Sequence, residues 1–267
     1  MTDTIQAACE VMARVRSQRP LIHHITNFVV MNATANITLC MGAFPVMAHA
    51  PEEVEEMVSA ANALVLNLGT LWPAQVDAML LAGRRANKRG IPIVLDPVGV
   101  GATRLRTESA HRLLKELLIA IVRGNLAEIA TLAGIDARIR GVESVGSTGN
   151  AELAASQFAK KFGCVAAVTG PIDVVTDGAR LIRVANGHAM MATVTGTGCM
   201  ATSVVAACAA VEKNAVIATT AALATYGLAA EFAAEKAQGP GTFQVHLFDA
   251  VAGLTQDVLR AGMQIDG

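Results

Sequence analysis

Aromatic residues are scarce in this sequence: Phe, Trp and Tyr make up 3% of 267 residues, with a single Trp and a single Tyr. The core must therefore be built from Ala, Val, Ile, Leu and Met within a 53% hydrophobic total. That suits helices stacked on a parallel sheet better than an aromatic-rich sandwich. Charge is sparse too, at 16% with a formal net charge of −1 and no basic cluster, which argues against a nucleic-acid partner. No C-x-x-C spacing occurs, and Cys9, Cys40, Cys164, Cys199 and Cys208 are odd in number and scattered, so neither a zinc site nor a disulfide framework is supported. The longest low-charge run, 215–230, is shorter than a bilayer span. Residues 1–18 read as an amphipathic helix with Arg14 and Arg16 at its far end, not as a signal peptide. The expectation is a soluble cytoplasmic protein with no membrane partner. Walker A, G-x-G-x-x-G opening the first helix and G-x-S-x-G are all missing, so a P-loop NTPase, a dinucleotide dehydrogenase and an α/β-hydrolase lack support.

What is present is a repeated alternation of strand and helix patterns, without internal repeats, over one domain spanning 1–267. Helical spacing of Ile5, Cys9, Met12 and Val15 opens the chain. Strands are expected at 21–27, 44–48, 63–67, 91–97, 119–122 and 164–169. Two further strands flank Asp177-Gly178 as a hairpin. Helices are expected at 31–41, from Pro51, from Pro73 to Gly90, at 107–117, from Asn125 to Gly134 and at 151–161. The last third reads as three helices, 198–211, 215–237 and 245–261, and 136–149 as a polar surface loop. Such an alternation predicts an open, mostly parallel sheet covered on both faces, with ligands outside the carboxyl ends of its strands. Asn27, Asn67, Asp96, Arg123, Asn125 and Thr169 stand at those ends.

Thr195-Gly196-Thr197-Gly198-Cys199 precedes a long run of small apolar residues that reads as a buried helix. Its unpaired N–H groups, at the positive end of the helix dipole, suit a phosphate or a developing negative charge. The same field is expected to favour the thiolate of Cys199. The six histidines stand in no context that would make one a base for this cysteine, and read as structural or exposed. Asp96 and Glu128, each following a buried strand, are candidates for a hydrated magnesium ion. Taken singly, Asp96 reads rather as a turn residue before Pro97, and Glu128 as a first-turn charge complementing its helix.

Asn125-Leu126-Ala127-Glu128 after a strand is similar to the N-x-x-E of ribokinase-like kinases. Together with His24-Ile25-Thr26-Asn27, the run from Leu95 to Thr103, Arg123-Gly124-Asn125, Val168-Thr169-Gly170, the glycine turn before Cys199 and Gly239-Pro240-Gly241-Thr242-Phe243, it closely resembles the hydroxyethylthiazole kinases, in their order and spacing over essentially the whole chain. The resemblance implies an α/β, ribokinase-like three-layer fold with a mostly parallel central sheet and helices on both faces. It implies phosphoryl transfer from ATP, with Mg2+, to the primary alcohol of 4-methyl-5-(2-hydroxyethyl)thiazole in thiamine salvage. A homotrimer with sites at subunit interfaces is implied as well. Carried over by position, Met47, Gly196 and Asn27 become thiazole contacts, and Arg123, Thr169 and Asn125 become ATP contacts. Asp96 and Glu128 become the magnesium pair, with Thr197, Gly198 and Cys199 as the catalytic turn. Ribokinase relatives usually carry an aspartate base where this chain has Cys199. Two other readings follow: a kinase for another heterocyclic alcohol of hydroxymethylpyrimidine or pyridoxal type, and a thiazole-binding sensor without catalysis. In a loose phosphoryl-transfer transition state the base matters little, so a slow kinase with modest dependence on Cys199 is expected.

Overall fold

The computed structural model describes residues 2–135 and 148–267; the loop expected at 136–149 falls almost wholly outside them. Among the described residues the strands are β1 (Leu21–Ile25), β2 (Phe44–Val46), β3 (Ala63–Asn67), β4 (Ile93–Asp96), β5 (Ile121–Asn125), β6 (Val165–Thr169), β7 (Asp173–Thr176), β8 (Leu181–Val184) and β9 (Ile265–Asp266). They form one sheet in the order β2-β1-β3-β4-β5-β6-β7-β8-β9. Pairing is parallel from β2 through β6 and antiparallel from β6 to β9. The expected hairpin is β7–β8.

Each buried strand feeds two cores, because successive side chains point to opposite faces. In β3, Ala63 and Val65 join one apolar cluster while Leu64 and Leu66 join the other. Helices α1 (Thr2–Gln18), α2 (Met31–Cys40), α8 (Thr197–Ala209), α9 (Ala215–Lys236), α10 (Pro240–Gly253) and α11 (Gln256–Gly262) cover the first face. The second is covered by α3 (Val54–Ala60), α4 (Pro73–Arg89), α5 (Arg104–Glu116), α6 (Leu126–Ala133) and α7 (Thr148–Phe162). The expected three layers are present.

The differences from expectation have local causes. Pro51 to Glu53 form a turn, and α3 begins only at Val54. The helix expected at 245–261 is two helices. The first, α10, starts earlier than expected because Pro240 supplies its first turn. The second, α11, starts afresh where the Thr255 side chain accepts the Val258 N–H. The run at 215–230 belongs to a 22-residue helix that is long and apolar enough to cross a membrane by length and composition. In the structure 78% of its apolar window is buried, so it serves as a core helix.

Candidate active site

Register and period bring the site together. Asn67 pairs with Asp96 at the ends of β3 and β4, and Asn125 pairs with Thr169 at the ends of β5 and β6. Asn67 shares its strand face with Ala63 and Val65, Asp96 with Val94, Arg123 with Ile121, and Thr169 with Val165 and Ala167. All of these apolar residues belong to the cluster under α8, so the four polar side chains face that helix. Helix α8 lies across β3 and β4 and brings Cys199 and Thr202 over them.

The turn before α8 has the expected form. Gly196 is left-handed, at φ 87°, and a Cβ there would lie 2.5 Å from Val30 Cγ1, so only glycine fits. The first intrahelical hydrogen bond runs from the Met200 N–H to the Gly196 carbonyl, which leaves the N–H groups of Thr197, Gly198 and Cys199 ahead of it. Thr197 ties the turn down: its hydroxyl donates to the Met191 carbonyl at 2.8 Å, and its own carbonyl accepts from the Tyr226 hydroxyl at 3.1 Å. A Cβ on Gly198 would come within 2.7 Å of Arg123 Nη1, so glycine is what lets the guanidinium lie against this turn.

Arg123 donates to the Thr169 hydroxyl, and its Nη1 is 3.9 Å from Asp96 Oδ1. Arg123 and Thr169 form one wall of a cleft of about 550 Å³, whose lining includes Pro171, Asn186, Leu223 and Tyr226. Asp173 lies on the same wall. Burial pushes its carboxyl up to about 6, against the pull of the Gly170 N–H and Arg123.

Asp96 is fully buried. Its Oδ2 accepts from Asn67 Nδ2 at 2.8 Å and from the Thr202 hydroxyl at 2.9 Å, while Oδ1 has no hydrogen-bond partner. Burial raises its carboxyl to about 6; Arg123 opposes the shift and Glu128 adds to it. Glu128 closes a capping box with Asn125, each accepting the other's N–H at 2.9 Å, and its second oxygen accepts the Gly99 N–H at 2.8 Å. The N-x-x-E stretch is thus also the cap of α6 and the tether of the loop after β4.

A magnesium ion fits this donor set. The buried Oδ1 of Asp96 has no hydrogen-bond partner, and a carboxylate oxygen is a hard donor of the kind magnesium takes. Among the described residues no group of three His, Cys, Asp or Glu side chains could cage a metal by itself.

Cys199 departs from expectation. Its thiol is pushed up to about 12, first by burial and then by the Asp96 charge. The helix terminus alone would favour the thiolate; a desolvated site beside a carboxylate outweighs it. The sulfur accepts N–H donors from Asn67 at 3.2 Å and Asn27 at 3.6 Å. Asn27 is itself fully engaged, its Oδ1 accepting from Val29 and Val30 and its Nδ2 donating to Asn67 Oδ1 and the sulfur. Met47 sits one residue beyond the edge strand β2, half-buried on the same rim but two strands away from Asn67.

Two contributors escape the sequence reading. Thr202 is three residues after Cys199, one helical turn further along the face that carries it, and that spacing is the signal that marks it. Arg106, on α5, donates to the carbonyls of Leu68, Val98 and Gly69 and so joins the loops after β3 and β4. Nothing in its local sequence distinguishes it from a surface arginine.

Residues 12–257 match the hydroxyethylthiazole kinase family. The chain is similar to the hydroxyethylthiazole kinase of Chloroflexus aurantiacus, with 59% identity over 96% of this chain and 95% of that one. It is similar to the solved structure of the hydroxyethylthiazole kinase protein from Pyrococcus horikoshii, with TM-score 0.91 and 43% identity over 98% of both chains. A ribokinase-like superfamily protein from Enterococcus faecalis shares the fold at TM-score 0.60 and 13% identity, over 93% of this chain and 82% of that one.

Proposed function

From the premise that this chain belongs to the hydroxyethylthiazole kinase family, we propose how its residues divide the work. The reaction is transfer of the γ-phosphoryl group of ATP to the alcohol of 4-methyl-5-(2-hydroxyethyl)thiazole, a thiamine-related step. One observation carries the assignment of roles: the open first turn of α8 lies against Arg123, beside an Asp96 oxygen that has no hydrogen-bond partner.

In a loose transition state charge spreads over the oxygens of the transferred group, so fixed donors at those oxygens supply most of the acceleration. The N–H groups of Thr197, Gly198 and Cys199 and the Arg123 guanidinium are these donors. Thr169 and Asn125 complete the ATP-binding rim, Thr169 by holding Arg123 and Asn125 by capping α6. Asp96, with Glu128 beside it, would hold the magnesium ion, which when bound neutralises phosphate charge.

The thiazole sits at Gly196 and Met47, with Asn27 as part of the wall. Cys199 remains a thiol at neutral pH and orients the substrate oxygen by donating its S–H, since two amide donors already occupy the sulfur. The alcohol keeps its proton until the new O–P bond is largely formed, then loses it to solvent or to the phosphate.

We also assign a homotrimer with the thiazole site at subunit interfaces. In support, Phe28, Val29, Leu39 and Phe44 are exposed large apolar residues along the β1–α2–β2 edge, next to Asn27 and Met47. A single domain over 1–267 and a cytoplasmic location complete the reading; five unpaired cysteines suit a reducing compartment. The test is a coupled ADP-release assay over thiazole, hydroxymethylpyrimidine and pyridoxal alcohols with and without Mg2+, alongside light scattering for mass. Turnover of thiazole that needs Mg2+ and collapses in Arg123→Gln is expected. An Arg123→Gln enzyme at the wild-type rate would sink the proposed roles.

A further inference from the structure

We infer that Asn67 is a positioning residue for phosphoryl transfer, its side-chain amide setting the orientation of both Asp96 and Cys199. The inference rests on the kinase reading above and adds to it a residue that touches neither phosphate nor thiazole.

Asn67 ends β3, is 1% exposed, and uses every hydrogen-bonding position of its amide. Oδ1 accepts from Asn27 Nδ2 at 2.7 Å and from the Gly69 N–H at 2.9 Å. Nδ2 donates to Asp96 Oδ2 at 2.8 Å and to Cys199 Sγ at 3.2 Å. A flipped amide would set its oxygen against the Asp96 carboxylate and its NH₂ against the Gly69 N–H, so one orientation survives. Asn27 is fixed in the same way, because two backbone N–H groups claim its oxygen.

Two consequences reach the chemistry. With Oδ2 of Asp96 bound by Asn67 and Thr202, the oxygen left open is Oδ1, on the side of Arg123. With the sulfur accepting two N–H donors, the thiol hydrogen must turn away from both amides. Asn67 donates to both groups, so it links the orientation of the carboxylate to that of the thiol.

Asn67→Asp separates this role from mere packing. It is nearly isosteric and keeps an acceptor for Asn27 and Gly69, but it removes both donors and sets an oxygen against Asp96. Displacements of the order of 1 Å in a reacting constellation cost about 100-fold in rate. We therefore expect kcat of Asn67→Asp and Asn67→Ala to fall by roughly 30- to 100-fold, with KM for thiazole changing by less than about threefold. The discriminating measurement is a double-mutant cycle with Cys199→Ala. If Asn67 acts partly through the thiol, the loss caused by Asn67→Ala shrinks by at least about threefold in the Cys199→Ala background. A purely structural residue would give losses that multiply.

Multiplying losses, or an Asn67→Asp enzyme that keeps a third or more of wild-type kcat, would overturn the inference while the kinase reading stands. A wild-type protein that releases no ADP with thiazole would overturn both. Circular dichroism melts of each variant show that the folded enzyme is being compared, and the isosteric Asp variant serves if the Ala variant fails to fold.

Discussion

Replacing Asp96 with Asn should make this protein more stable and nearly inactive. The side chain is fully buried and its carboxyl is pushed up to about 6, against about 3.9 in an unfolded chain. Because the folded value lies above the unfolded one, the native state binds the proton more tightly. The stabilising contribution of that protonation is complete below about pH 3.9 and is lost as pH rises through about 6. At pH 7.5 the ionised carboxylate therefore costs the native state about 3 kcal/mol relative to its neutral form, at about 1.4 kcal/mol per tenfold change in proton affinity. An asparagine can place its oxygen where Oδ2 accepts from Asn67 and Thr202, and its NH₂ where Oδ1 has no partner. It should recover about 2–3 kcal/mol, or about 5 °C in melting temperature for a chain of this length. Urea denaturation followed by far-UV circular dichroism, in EDTA and without nucleotide, measures the difference from pH 5 to 8. About half of the gain should be gone by pH 5, where much of the wild-type burial penalty has been relieved. A variant less stable than wild type at pH 7.5, or a gain that does not change with pH, would refute the reasoning. In the ADP-release assay the same variant should lose more than about 100-fold in rate, since it no longer offers a carboxylate to a divalent ion.

Other tests follow from single contacts. With its thiol pushed up to about 12, Cys199 should be alkylated by iodoacetamide about tenfold faster per pH unit from 7 to 9, as read by peptide mass spectrometry; a plateau near pH 8 would contradict the burial argument. Gly198→Ala puts a methyl 2.7 Å from Arg123 Nη1 and should cost about 100-fold in kcat/KM for ATP with little change in melting temperature. Gly227→Ala sets a methyl 2.4 Å from the backbone oxygen of Asn186, which cannot yield as a side-chain tip can. It should lower stability by about 1–3 kcal/mol in denaturant titration, and an unchanged midpoint would show that the cleft wall is softer than its packing suggests.

Local pattern carries much of the fold. Ala63–Asn67 is legible as a strand because five residues form a bounded apolar run ending in a polar side chain, and α4 because Pro73 opens it and Gly90, left-handed at φ 69°, closes it. The strand-end rule puts Asn67, Asp96, Arg123 and Thr169 on one rim without knowledge of their register. What cannot be read locally depends on residues distant in the chain. The helix terminus at Cys199 points to a thiolate, but burial, and then the charge of Asp96, 103 positions earlier, reverse the balance once α8 lies across β4. Thr202 gains its role from the same crossing, and Arg106 from the packing of α5 against two loops that do not adjoin it in sequence. The engagement of the Asn27 side chain by the backbone at Val29 and Val30 is likewise invisible in the sequence, where the residue reads only as a polar strand end.

The thiol itself follows from the charge already present. Asp96 and Glu128 are both buried or nearly so, and Glu128 already raises the proton affinity of Asp96. Arg123 is a cation that faces Asp96, at 3.9 Å. A carboxylate at position 199 would add a fourth acidic group, after Asp96, Glu128 and Asp173, to a desolvated site that must also accept a triphosphate. Like charges at such range push one another toward the protonated state, so the added group would be a compromised base and would repel the nucleotide. A neutral thiol held by two amide donors avoids both effects. The cost is general-base strength, which contributes least where bond formation to the acceptor oxygen lags behind departure of the leaving group. A site arranged this way relies on the electrostatics of the α8 turn and Arg123, and its rate should respond far more to changes there than to loss of the sulfur.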